Sequence, residues 1–335
     1  FPPRPQWEAK GYRPDAYGRW VGPGGDVAVP LYQGVMIGQV QFNRVAYLSG
    51  RGLQAKWALL PFDDNSIVPQ FLMSEGHAAS RRAVNSSIRV VFRPIARTTD
   101  ARTMIAAVIP SWPAGNSLGI LVASSTVRTA VLAGILSSLV FDHQLRARQG
   151  GSNINFHILF ECPIPSVRSS HGLSRLQSVV VGLNCYHRVF SSGVVAIAGR
   201  SRRLPRSAIT PHERLRLRAM LDAIVAELYG LDWDDFAYIL RDCDHPASQL
   251  RQNAFTRGLD PKGFWRVDKG QDPELRHTVL SLVAFRDLKE VIAEAGGGRE
   301  GGIEAFCRQN DGDGWMLPDA LRLADFGLGH DERAQ

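Results

Sequence analysis

Lysine is scarce in this chain: of 39 basic residues, 5 are Lys and 34 are Arg. Cysteine is scarce too, confined to Cys162, Cys185, Cys243 and Cys307. None forms a Cys-x-x-Cys pair and no His stands at finger spacing, which argues against a structural zinc site and a disulfide framework. Four widely spaced thiols fit a reducing compartment. No apolar run approaches the roughly 18 residues needed to cross a bilayer, and no basic start followed by an apolar stretch marks a leader. Repeats at solenoid spacing are lacking as well. The expectation is a cytoplasmic protein without a membrane partner.

Signatures of chemistry are also wanting. Amino methylation needs an Asn/Asp/Ser-Pro-Pro-aromatic loop around the extruded base and a Gly-rich strand-to-helix turn for the methyl donor; neither occurs. Gly22-Pro23-Gly24-Gly25 has no strand pattern before it and no helix pattern after it, and there is no Walker-type phosphate loop. A metal-dependent nuclease would place a carboxylate ahead of a carboxylate-x-Lys strand. Glu8-Ala9-Lys10 precedes Asp15, the wrong order, and Asp287-Leu288-Lys289 falls in an expected helix. Histidine-rich metal spacing and a Gly-x-Ser-x-Gly elbow are missing. The chain is therefore expected to carry no catalytic residue, no metal ligand and no cofactor site of its own.

Charge is present and segregated. The net charge is +7, but residues 1–210 hold 23 basic and 9 acidic side chains, a balance of +14, whereas residues 211–335 stand at −7. A basic first part suits a polyanion. A GC-rich coding sequence would account for Arg over Lys, but not for the segregation.

The periodicities indicate an α/β (mixed α+β) chain. Residues 1–30, rich in Pro, Gly and aromatics, read as an irregular segment, the tail of a preceding domain. Strands are expected at Ser87–Arg93, Met104–Ile109 and Leu118–Val122, with a polar basic loop joining the first two. One helix is expected from about Ala130 to Leu145, stopped at Gln149-Gly150-Gly151, then an alternating strand over Asn153–Ile158. Thr210, Pro211 and Glu213 spell the start of a helix that Gly230 ends. Another helix start follows at Asp232, and a long helix runs from Glu274 to Glu294. The expected partition is 1–30, a recognition domain at 31–205, and a mainly helical region at 206–335.

Two segments have the composition of a DNA contact. The first carries Arg93, Arg97, Thr98, Thr99, Arg102 and Thr103; guanidinium groups suit phosphates or guanine edges, and hydroxyls suit phosphate oxygens. Each Arg here can equally pair with Asp100 or another carboxylate. The second is Arg146-Ala147-Arg148-Gln149-Gly150-Gly151-Ser152-Asn153-Ile154-Asn155, where Arg146, Arg148, Asn153 and Asn155 suit a phosphate backbone or adenine edges. Its arginines equally suit a helix C-terminus, and its asparagines a turn. Arg200, Arg202, Arg203 and Arg206 read as a solvated basic linker.

These residues carry a family resemblance. Leu31-Tyr32-Gln33-Gly34-Val35-Met36-Ile37 resembles the segment that follows the catalytic domain in large adenine-specific DNA methyltransferases, the single-chain type II restriction–modification enzymes and related phage-defence methylases. The stretch from Val91 to Pro110, with Phe92-Arg93-Pro94 and Thr98-Thr99-Asp100-Ala101-Arg102-Thr103, is similar to that family's next block. So are Leu136-Ser137-Ser138-Leu139-Val140-Phe141-Asp142 through Arg146 and Gly151–Phe156 to Pro165, then Leu221–Leu231 and Gly263–Lys269. Where family members often carry an Asp-His-Arg-like triplet, this chain has Gln41-Phe42-Asn43-Arg44. The resemblance implies a target-recognition region that grips double-stranded DNA beside a flipped base. It also implies a missing catalytic domain or subunit that binds S-adenosylmethionine, upstream of Phe1. The rival expectation is a non-enzymatic scaffold that binds other subunits of a defence complex through its acidic helices.

Overall fold

The computed structural model describes residues 1–64, 66–80, 87–165, 171–198 and 206–318. The chain is of the mixed α+β class, with short antiparallel strands and a larger share of helix. It divides into two compact units interleaved along the sequence. Unit 1 comprises residues 1–94, 105–133 and 184–207; unit 2 comprises 95–104, 134–183 and 208–335. Among the described residues no helix is long and apolar enough to cross a membrane.

In unit 1 the first thirty residues are ordered, contrary to their expected irregularity. Strands Arg13–Pro14, Trp20–Val21 and Val27–Pro30 pair in succession, and Leu72–Ser74 closes the sheet against Val27–Pro30. Tyr12, Trp20, Ala28 and Leu72 form its core, with Trp7 packed on it. The aromatics of this stretch thus serve the core, which strands of two residues are too short to announce by periodicity.

The second sheet of unit 1 follows the β-branched pattern. Ile88–Phe92 is its centre, flanked by Ala106–Pro110 and Gly119–Leu121, all antiparallel. Val90 and Val91, pointing to opposite faces, are both fully buried, so both faces are covered. A separate two-stranded hairpin joins Val45–Ser49 to Lys56–Leu59.

Unit 2 is built around Pro211–Leu228. Thr210 Oγ1 accepts from Glu213 N at 3.1 Å, Pro211 holds the first position, and Gly230 takes φ +75° just past the end. The helix is buried nearly all round rather than along one stripe: Pro211 is exposed, and Arg218 and Leu228 are half-buried. It lies against His277–Glu294, which packs in turn on Gly298–Gly312. Trp233–Ile239 opens with a capping box between Asp232 and Asp235.

Two expectations about residues 126–160 are corrected. The single helix over Ala130–Leu145 is two, Thr126–Ser137 and Leu139–Arg148. The break comes at Ser138, whose Oγ donates to Ile135 O at 2.7 Å and accepts from Phe141 N at 3.1 Å. Asp222 Oδ1 takes Leu139 N at 2.7 Å, so the new helix start is capped twice. The strand expected over Asn153–Ile158 is instead a short helix, Phe156–Phe160, with a lone bridge from Asn153 to Ile95. Phe156 and Phe160 meet at i,i+4 with tilted rings 6.0 Å apart, and Leu159 turns inward, so the apolar residues here follow a helical spacing.

Candidate nucleic-acid interface

The two basic segments read from the sequence lie side by side within unit 2, apart from Arg93, which stays in unit 1. Ala96 N donates to Ser152 O at 2.9 Å, and Ile95 bridges to Asn153. Gln149 Nε2 donates both to Ala96 O at 2.7 Å and to Gly151 O at 2.8 Å. The 95–103 loop and the 149–155 turn are therefore stitched together through their backbones.

A buried ionic cluster supports them from below. Asp142, fully buried in the first turn of Leu139–Arg148, accepts from Thr103 N at 3.1 Å and from Arg146 Nε at 2.9 Å. Arg102 Nε lies 2.9 Å from its other oxygen, an ion pair without hydrogen-bond alignment. Arg102 Nη2 donates to the carbonyls of Ser137 and Ser138 at the helix break. Burial lowers its pKa, and Asp142 opposes that shift.

Arg146 is 1% exposed. It donates to Asp100 O and Ala101 O, both at 2.9 Å, to Lys262 O at 2.8 Å and to Gly263 O at 3.2 Å. Its guanidinium lies 4.2 Å from the Phe264 ring centre. One planar fork thus ties the loop, the helix and the 262–264 turn together, which lysine's point charge could not do.

Arg93 is similarly engaged. Nε donates to Gly34 O at 2.8 Å, and Nη2 to Ile37 O and, at 3.5 Å, to Val35 O. Burial, then neighbouring Arg44, brings its pKa down to about 10. Of the ten candidate contact residues, Arg93, Arg102 and Arg146 therefore direct their donors into the protein, buried Thr103 donates from Oγ1 to Arg97 O at 3.0 Å, and Thr99 is exposed. Thr98 is half-buried.

Arg97, Arg148, Asn153 and Asn155 are exposed. The Arg97 side chain, 76% accessible, makes only a loose ion pair of 3.7 Å with Asp100. Asp100 Oδ2 also accepts from Arg97 N at 2.9 Å, which turns the loop back on itself. Arg148 Nη1 donates to Gln144 O at 3.1 Å, one turn earlier in its own helix. Asn155 precedes the Phe156–Phe160 helix but makes no side-chain cap bond. Arg206 is exposed, whereas Arg200, Arg202 and Arg203 fall outside the described residues.

Two further cations belong to this area and were not singled out from the sequence. Lys262, exposed, donates from Nζ to Arg146 O at 3.1 Å. Arg266 lies over the Trp265 ring at 3.9 Å, and burial lowers its pKa. Their only sequence signal was the Gly263-Phe264-Trp265-Arg266 block, which carried the resemblance but no assigned role. In unit 1, a cleft of about 1030 Å³ lined by Arg4, Arg13, Asp15, Trp20, His187 and Arg188 was likewise unforeseen. Its charge is partly internal: Arg4 lies 3.7 Å from Glu8, and Arg13 donates to the Glu8 and Tyr12 carbonyls.

No family model, no curated protein and no solved structure matches this chain. Among the described residues, no group of three His, Cys, Asp or Glu side chains is placed to hold a metal ion.

Proposed function

We propose that this chain binds double-stranded DNA and helps select the target site of an adenine-N6 methyltransferase, with or without a cleavage activity. The observation that carries this reading is the joined pair of loops in unit 2. Their backbones are fixed to one another and to a buried cluster, while Arg97, Arg148, Asn153 and Asn155 are left in solvent. Preorganised cations bind phosphates with little ordering cost, and amide side chains on a rigid turn can read base edges. The role of this chain is affinity and register; S-adenosylmethionine and the methyl transfer belong to a catalytic partner. Arg97→Ala and Arg148→Ala should each weaken duplex binding. A uniform loss across sequences would mark a phosphate contact, and relaxed selectivity at one position a base contact. Unchanged affinity in both variants would contradict the assignment.

One observation favours a scaffold instead. The Trp233–Ile239 helix exposes Trp233 and Tyr238 beside Asp234 and Asp235, a surface suited to a protein partner. Stable association with a partner subunit, together with no affinity for DNA, would select that reading.

A further inference from the structure

The hairpin of unit 1 is fastened at its turn and buries Val45, Ala46 and Tyr47, yet it leaves three leucines in water. Its base is held by Tyr47 N donating to Val68 O at 2.9 Å and by Leu60 N donating to Arg44 O at 3.0 Å. Across the strands Tyr47 packs edge-on against Trp57, ring centres 5.3 Å apart. The turn is fastened by Tyr47 Oη donating to Gly50 O at 2.5 Å and Gln70 Nε2 donating to the same oxygen at 3.4 Å. Gly50 has φ +85°, and a Cβ there would stand 2.2 Å from Gln54 O, so only glycine fits.

This fixed turn displays Leu53 with its side chain wholly in solvent (107% exposed), and the strands add Leu48 at 58% and Leu59 at 71%. Arg51 and Lys56 flank Leu53, both exposed, and neither side chain makes an ion pair or hydrogen bond among the described residues. Between Asp26 and Asp63 the sequence holds Arg44, Arg51 and Lys56 and no carboxylate. Charge of one sign around a leucine held out at the tip of a fastened turn suits a polyanion with an apolar interior, which describes stacked duplex DNA. A protein-docking face would more often be a contiguous apolar patch with a mixed polar rim.

We propose that the hairpin is a DNA wedge: Arg51 and Lys56 engage phosphates while Leu53 enters and unstacks a base step. This deepens the DNA-binding reading and rests on it. Partial unstacking would also lower the cost of extruding a neighbouring base for methylation.

The test is a competition between a perfect duplex and the same duplex with a single mismatch, whose step is already loosened, binding to the whole 335-residue chain. The wild-type chain should prefer the mismatched duplex by about tenfold, since part of the unstacking is already done. Leu53→Ala should keep wild-type affinity for the perfect duplex and lose the preference. The double variant Arg51→Ala/Lys56→Ala should weaken both duplexes alike and flatten the salt slope by about 2. All three side chains are exposed, and unchanged thermal unfolding would confirm that the variants fold. A duplex-binding wild type without mismatch preference, or with one that survives Leu53→Ala, would overturn the wedge while leaving DNA binding intact. A wild type that binds no DNA would remove the underlying reading and the wedge with it.

Discussion

The loop at 95–103 and the hairpin turn at 49–56 are both basic, and they use their charge in opposite ways. In the first, Arg102 is spent on carbonyls and on buried Asp142, and Arg146 reaches in to hold the Asp100 and Ala101 carbonyls. In the second, the side chains of Arg51 and Lys56 have no partner among the described residues. The same residue type is a structural clamp in one place and free charge in the other. The clamp role recurs: Arg93, Arg102, Arg146, Arg214, Arg216 and Arg276 each donate to two or more backbone carbonyls. A planar guanidinium with five donors can satisfy several carbonyls that a lysine cannot. The excess of Arg over Lys thus has a structural use, and a count of basic residues overstates the charge offered to a ligand.

The largest effect is expected at the buried end. Arg146→Ala removes four carbonyl partners and leaves Asp142 buried without one of its cations, and should cost about 3–5 kcal/mol. Urea unfolding would read this, and Arg146→Lys should recover little. A loss under about 1 kcal/mol would place Arg146 with the exposed arginines instead.

The interior of unit 2 should also weaken in alkali. Burial pushes the Cys243 and Cys307 thiols up to about 12, from 9.0. Between these values the unfolded chain gives up thiol protons that the folded chain keeps. Stability is therefore fully present below about pH 9 and falls above it, by about 1.4 kcal/mol per pH unit per thiol. Denaturation midpoints at increasing pH should drop more steeply for the wild type than for Cys243→Ala/Cys307→Ala, and equal slopes would refute the assignment.

A smaller effect belongs to the helix break. Ser138→Ala removes the hydroxyl that caps Leu139–Arg148 and should cost about 1 kcal/mol, softened by the second cap from Asp222. At the exposed end, Arg51→Ala/Lys56→Ala should change stability by less than about 0.5 kcal/mol. Loss of folding in that pair would erase the contrast.

The three-stranded sheet was legible in the sequence, since Ile88–Phe92 and Ala106–Pro110 are β-branched or apolar runs bounded by Pro, whereas the four-stranded sheet and the hairpin were not. Thr210-Pro211 with Glu213 announced its helix because capping is local chemistry. At Ser138 the local cap on Phe141 N was missed inside an unbroken apolar stripe, and its second support, Leu139 N on Asp222, comes from eighty-three residues away. The order within residues 1–30 depends on Leu72–Ser74 and was equally invisible locally. For the candidate interface, the residue types were legible but not their allocation. Whether Arg97 or Arg146 faces solvent is decided by carbonyls at Lys262 and Gly263, which no spacing around Arg146 reveals. The hairpin turn had no signal beyond glycines at 50 and 52, because one exposed leucine is ordinary in any sequence.

The most direct test of the account is binding of the whole chain to random duplex DNA across a salt series. If the exposed cations meet phosphates, the slope of log affinity against log salt should be about −4 or steeper. It should be flattened by Arg97→Ala, Arg148→Ala and the Arg51/Lys56 pair. No binding at low salt would contradict the DNA reading and leave the exposed aromatic helix and the scaffold role as the better account.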